Sequence, residues 1–325
     1  MRKPVLLLMT LLITALLCGC TPAAQSIPRQ TGDSGASQPV APVAEAPESL
    51  HIDANVALFF RYMDEPYLAA EARTVTQRPS QPWENTLISA LLSGPETHST
   101  RLNALFPQGT RLIATAREGR TLFVTLSSEI MNAYSDEPVY WQDDAYWSAE
   151  VPRRRLLCMQ SLVATVTENS DVDRVQVLVA QADASGSSYR LPQSYFKTTD
   201  IESPAPLLTR DGAVLLTPEN TMQRIASAWL QQDWAALYSY LRSESSEALP
   251  ARMDYRTFVS TMEALPRLTA CTVSSGSVSF DGAQATFSLT ATATGEQPIS
   301  GIVRLVRTGS VWCITLSELT GWLEV

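Results

Sequence analysis

The stretch Arg111-Leu112-Ile113-Ala114-Thr115-Ala116-Arg117-Glu118-Gly119-Arg120-Thr121-Leu122-Phe123-Val124-Thr125-Leu126 decides the fold. Leu122, Val124 and Leu126 recur at every second position, so an extended chain carries all three on one face. Residues 111–116 form a second extended run, and Glu118-Gly119 supplies the turn that joins two antiparallel strands. Upstream, Pro82-Trp83-Glu84 opens a helix with Leu87, Ile88, Leu91 and Leu92 on one face, which Gly94-Pro95 ends. Before it, Val56–Tyr62 is apolar enough for a central strand. Downstream, residues 154–168 predict a helix burying Leu157, Leu162 and Val166, followed by a strand at Val175–Val179. The order β-α-β-β-α-β over residues 51–198 predicts an α+β domain, with a mixed sheet and both helices on one face.

Residues 199–213 read as a linker, and 214–325 as a second α+β domain. Pro218-Glu219-Asn220 starts a helix carrying Ile225, Trp229, Leu230, Leu237, Tyr238 and Leu241, with a break at Asp233-Trp234. A second helical stretch holds Tyr255, Phe258, Val259 and Met262. Four strands follow as a curved antiparallel meander, 271–280 with 283–294 through Asp281-Gly282, and 299–307 with 310–316 through Thr308-Gly309.

The opposite end of the chain states an address. Arg2-Lys3 precedes an apolar run from Val5 to Leu17, interrupted only by Thr10 and Thr14. A helix of that length rises about 20 Å, short of a hydrocarbon core of about 30 Å, so the run reads as a signal segment. It ends in Leu17-Cys18-Gly19-Cys20, which resembles the lipobox of bacterial lipoproteins. The resemblance implies removal of residues 1–19 and a diacylglyceryl group on Cys20, holding the protein at the extracytoplasmic face of the cell membrane. Residues 20–50, rich in Pro, Ala, Ser and Gln, bury too little to order and read as a disordered tether. The chain carries a formal net charge of −9, and loss of Arg2 and Lys3 brings it to about −11. So acidic a protein does not neutralise phosphates, which excludes nucleic acid as a partner.

Several motifs in 51–198 together resemble the GerMN domain of spore-germination and sporulation lipoproteins. They are Leu58-Phe59-Phe60, Leu91-Leu92-Ser93-Gly94-Pro95, Leu105-Phe106-Pro107-Gln108-Gly109-Thr110, Val124-Thr125-Leu126-Ser127-Ser128 and the helix-to-strand run 160–179. The chain departs from that pattern at Ala180-Gln181, where the family usually turns with glycine, and in a long insertion at about 130–152. The resemblance implies no catalysis, no cofactor and an interaction-type fold whose partners are envelope or sporulation proteins. In 214–325, Ala228-Trp229-Leu230-Gln231-Gln232-Asp233-Trp234 with Leu237-Tyr238 is similar to the opening helix of the nuclear-transport-factor-two-like superfamily, which implies a cone-like domain and decides nothing about function.

Residue chemistry points the same way. His51 and His98 have no Cys or His at ligand spacing, so neither a metal site nor a histidine-based triad is expected. Phosphate loops and nucleophile elbows are missing. The insertion sets Tyr134, Tyr140, Trp141, Tyr146 and Trp147 among five acids; the rings either fold back over the sheet or form a surface for protein or glycan. Arg153-Arg154-Arg155 either receives an anionic group or balances those acids. Cys158 reads as a buried filler. Cys271 and Cys313 are either bridged, which requires neighbouring strands, or two buried thiols. The reading is a non-enzymatic, membrane-anchored scaffolding lipoprotein of sporulation or germination. The alternative is an extracytoplasmic lipoprotein that binds peptidoglycan or a small ligand.

Overall fold

The computed structural model describes residues 52–78, 80–181, 186–196, 203–243, 253–274, 276–309 and 311–323. Cys18, Cys20 and His51, with the expectations placed on them, lie outside these. The described residues fall in one compact unit, Glu48–Val325.

Strand β1 (Ile52–Tyr62) pairs antiparallel along its length with β2 (Leu68–Gln77), and at Arg61 and Tyr62 with the short β3 (Leu102–Asn103). The helix α1 (Trp83–Leu92) buries Leu87, Ile88 and Leu91 as its periodicity predicts, and Gly94 leaves it at φ +82°. The deciding hairpin is β4 (Leu112–Glu118) and β5 (Thr121–Leu126), turning at Gly119 with φ +57°. Helix α2 (Trp147–Asn169) then crosses to β6 (Arg174–Ala180), which lies parallel to β5. Two short strands complete this sheet against β6: β7 (Ser188–Arg190) and β8 (Leu208–Thr209).

The single mixed sheet expected from the sequence is therefore two sheets, β2-β1-β3 and β4-β5-β6-β7 with β8 on β6. The reason is the far edge of β1, which α2 occupies instead of another strand. Thr165 Oγ1 accepts from Phe59 N at 3.1 Å, Ser161 Oγ donates to Phe59 O at 2.6 Å, and Asn169 pairs with Ala57. Spaced four apart, these three side chains share one helix stripe and serve as the missing neighbour strand. The segment read as a linker also contributes to the sheet, through Leu208 and Thr209.

The C-terminal portion begins with α3 (Pro218–Gln231), capped by Thr217 and ended by Gln232 in the left-handed region. Asp233 caps the next helix, α4 (Trp234–Ser239), at the expected break. Helix α5 (Tyr255–Ala264) buries Phe258 and Met262. The curved antiparallel sheet follows: β9 (Leu268–Val273), β10 (Ser277–Val278), β11 (Gln284–Ala293), β12 (Ile299–Thr308) and β13 (Val311–Cys313). The expected strand 271–280 is split. Both β9 and β10 pair with β11, and between them Gly276 lies under the Phe287 ring, where an added Cβ would stand 2.3 Å from a ring carbon. Residues 316–320 form a short helix, α6 (Leu316–Thr320), rather than extending the last strand.

One hydrophobic core runs through both portions. Leu216 N donates to Leu68 O at 2.8 Å, Tyr62 Oη donates to Ser239 O at 2.9 Å, and the Tyr62 and Tyr240 rings stand 5.5 Å apart. Arg224 grips Glu65 with two bonds of 2.7 and 2.8 Å. The β1–β2 turn is thus a plug in the C-terminal portion.

Candidate interaction surface

The insertion is built onto the first turns of α2. Asp144 Oδ1 accepts from Tyr146 N and Trp147 N, and the helix starts at Trp147, seven residues before the expected Arg154. Pro152 is the sixth residue of the helix and cannot donate to the Ser148 carbonyl one turn back.

Glu150, 2% exposed, is the anchor of the site. Arg61 of β1, 3% exposed, donates to it, while Arg153 and Arg154 lie 3.4 and 3.5 Å from its oxygens. Arg61 also donates to the carbonyls of Glu65 and Asp64, at 3.0 and 2.7 Å, so its guanidinium is satisfied. A buried ion pair is retained without large cost only when its remaining hydrogen bonds are made in this way.

From this anchor the basic run turns to the insertion's acids. Arg154 pairs with Asp136 at 2.7 Å, and Arg155 with Glu137 at 3.0 Å. Each guanidinium also faces two rings: Arg154 lies over Tyr134 and Trp147, at 4.9 and 5.6 Å, and Arg155 over Trp141 and Tyr195, at 5.8 and 5.4 Å. Of the two readings open from the sequence, the arginines balance the insertion rather than wait for an anion. The Arg154 guanidinium holds the Asp136 carboxyl below its usual range. Burial pushes the Tyr134 hydroxyl and the Cys158 thiol well up, so both stay protonated and inert.

The aromatic residues divide. Tyr134, Trp141 and Trp147 are half-buried against the arginines, whereas Tyr140 is 77% exposed, Val139 84% and Tyr146 58%. The result is a loop pinned at Asp136, Glu137 and Asp144 that holds Val139 and Tyr140 to solvent. Beside it is a cleft of about 660 Å³, lined among others by Arg61, Asp64, Phe106, Asn132, Tyr134 and Arg154. The buried Arg61–Glu150 pair escaped sequence reading, because partners 89 residues apart leave no local pattern.

Other candidates take their places around this site. His98 is exposed beside Glu96, at 3.1 Å. No group of Cys, His, Asp or Glu suited to a metal occurs among the described residues, and no described helix is long and apolar enough to cross a membrane. Cys271 and Cys313 are free thiols. They lie on β9 and β13, with β11 and β12 between, so the neighbouring strands that a bridge requires are not there. The C-terminal core is filled by Trp229, Phe287 and Trp312, all under 8% exposed, and Trp322 meets Trp229 edge to face at 6.3 Å.

Residues 58–184, about two fifths of the chain, match the family model described as Germane: Sporulation and spore germination. Among solved structures, the tandem GerMN domains of the sporulation protein GerM from Bacillus subtilis share 15% identity over 52% of this chain, with a TM-score of 0.30. The chain spans about half (49%) of that structure. The first GerMN domain of GerM alone matches at 15% identity over 48% of this chain and 98% of its own length, TM-score 0.30. A Clostridium perfringens chain described as a lipoprotein matches at 16% identity over 43% of this chain and 87% of its own, TM-score 0.24. No curated protein matches the chain. The assignment rests on the family model together with the motifs it spans, from Leu58-Phe59-Phe60 to the strand ending at Ala180: residues 58–184 form a GerMN-type domain.

Proposed function

We propose that this protein is a non-enzymatic, lipid-anchored scaffolding factor of the cell envelope, acting in sporulation or germination through the pinned insertion loop. The observation that carries this reading is the opposed fate of its aromatic residues. Two ion pairs and three cation–π contacts are committed to holding a loop whose Val139, Tyr140 and Tyr146 then face solvent. An apolar group held rigidly in water loses little entropy on binding a protein, which is how aromatic anchors contribute most to an interface. The filled C-terminal core agrees, since a ligand-holding cone would need an open interior. We read that portion as a cone-like packing module. Anchoring through Cys20, with the tether 20–50 carrying the domain clear of the membrane, follows from the lipobox alone.

The second reading is a lipoprotein that binds peptidoglycan or a small ligand; the cleft beside Arg61 and Arg154 favours it. Cross-linking on native membranes, followed by purification of the acylated protein and mass spectrometry, separates the two. A defined set of envelope or sporulation proteins, lost in a Tyr140→Ser/Tyr146→Ser variant, supports the scaffold. Recovery of glycan fragments alone would sink it. The exposed pair is the right target, because truncating Trp141 or Trp147 would also loosen the loop.

A further inference from the structure

The outer face of the second sheet carries a site that the insertion does not use. On β6, Arg174, Gln176 and Leu178 lie on the sheet face opposite Val175, Val177 and Val179; Arg174 is exposed and Gln176 is buried. Thr121 lies beside Arg174 in register, and Glu118 beside Thr121. On the other side, Arg190 of β7 pairs with Leu178. The segment Pro204-Ala205-Pro206-Leu207 walls this face, held by Gln176 Nε2 donating to Ala205 O at 3.3 Å. Between wall and sheet is a groove of about 540 Å³ lined by these residues and Phe123.

Ten of the nineteen described arginines pair with carboxylates. Arg174 and Arg190 are exposed and make no ion pair among the described residues, and Asp173 next to Arg174 is committed to Arg120. Two guanidiniums without an ion pair, against the single carboxylate of Glu118 in the lining, leave the groove with net positive charge in a chain of net charge −9, a local attraction for carboxylate. Glu118 at the far rim opposes a uniform polyanion such as a phosphate polymer.

We infer that this groove binds an extended acidic segment of a partner protein, its carboxylates on Arg174 and Arg190 and a small apolar residue over Phe123. The spacing follows from the register. Arg174 and the position opposite Arg190 are four residues apart on β6, roughly 13 Å at a strand rise of about 3.3 Å per residue. An extended ligand presents side chains four residues apart on one face at the same separation. Carboxylates at such positions, with uncharged residues between, match both arginines and keep clear of Glu118.

The site is separate from the Tyr140 loop, and its test needs no envelope partner, so failure of either leaves the other standing. The full-length chain in detergent micelles is titrated against a fluorescent peptide of about ten residues, bearing two aspartates four positions apart among alanine, valine and threonine. Fluorescence polarisation is expected to rise to saturation, with binding at least tenfold weaker for the peptide carrying asparagines instead. Arg174→Ala/Arg190→Ala should abolish it, and Arg174→Lys/Arg190→Lys should restore part; both arginines are exposed, and an unchanged thermal melt verifies folding. No saturable binding up to millimolar peptide would overturn the inference. So would equal binding of the asparagine peptide, or binding unchanged in the alanine pair. Inorganic polyphosphate binding in the groove where the peptide does not would assign it to a polyanion, and the inference would fall.

Discussion

Asn169 pairs with Ala57 as a neighbouring strand would: its Oδ1 accepts from Ala57 N at 3.0 Å and its Nδ2 donates to Ala57 O at 2.8 Å. Thr165 and Ser161, one and two turns earlier, repeat the arrangement at Phe59. The stripe satisfies a strand edge that would otherwise need a third hydrogen-bonded neighbour. Asn169→Leu leaves the part-buried Ala57 donor and acceptor without their partner, at a cost of about 1 kcal/mol. Urea unfolding should show that loss, with faster amide exchange at Ala57. Unchanged stability would mean that water replaces the amide.

Removing one member of the Arg61–Glu150 pair strands a charge at 2–3% exposure. Glu150→Ala should therefore destabilise by about 3–5 kcal/mol, while Arg61→Met/Glu150→Leu regains much of the loss. A double-mutant cycle by chemical denaturation reads this directly. Additive single effects would show that the two residues are not coupled.

The loop should loosen in acid. Asp136 is held low first by its hydrogen bond to Arg154, and a depressed carboxyl contributes stability that is complete above its unfolded value of 3.8 and lost as pH falls through the folded value. Asp136 is more than half exposed, so the effect is local rather than global. Limited proteolysis should cut within 136–146 faster below about pH 4 than at neutrality. Arg154→Ala should bring the same sensitivity at pH 7. Equal cleavage at both pH values would remove Asp136 from the argument.

Gly301 lies against the Trp322 side chain, where an added Cβ would stand 2.4 Å from the Trp322 Cβ and 2.6 Å from the first ring carbon. Gly301→Ala must move that side chain out of the C-terminal core, at a cost of about 1–3 kcal/mol. The thermal midpoint is expected to fall by several degrees and tryptophan fluorescence to shift. A midpoint equal to wild type would show that Trp322 has room to give.

Cys158, Cys271 and Cys313 should all titrate as thiols in denaturant without reductant. A non-reducing gel should show the same mobility with and without dithiothreitol. A mobility shift would restore the Cys271–Cys313 bridge and with it a different strand order.

Local signals carried much of this fold. The alternation at Leu122, Val124 and Leu126, the Gly94 and Gly119 turns and the Asp233 cap all act within a few residues, where side-chain period and backbone sterics suffice. The motifs from Leu58 to Val179 likewise marked the GerMN-type domain. Strand β2 was missed because Leu68–Gln77 mixes alanines with charges and lacks a clean period. The start of α2 at Trp147 lies inside the stretch read as an insertion, about 130–152. What only the tertiary structure decided depends on distance along the chain. Helix α2 displaced a strand from β1 because Ser161, Thr165 and Asn169 could supply its hydrogen bonds. Arg154 and Arg155 were taken up by acids 18 residues away. Arg174 and Arg190 were left unpaired by a register that no local pattern encodes. Sequence period specifies which face of an element is apolar; which charges find partners is settled when those faces meet.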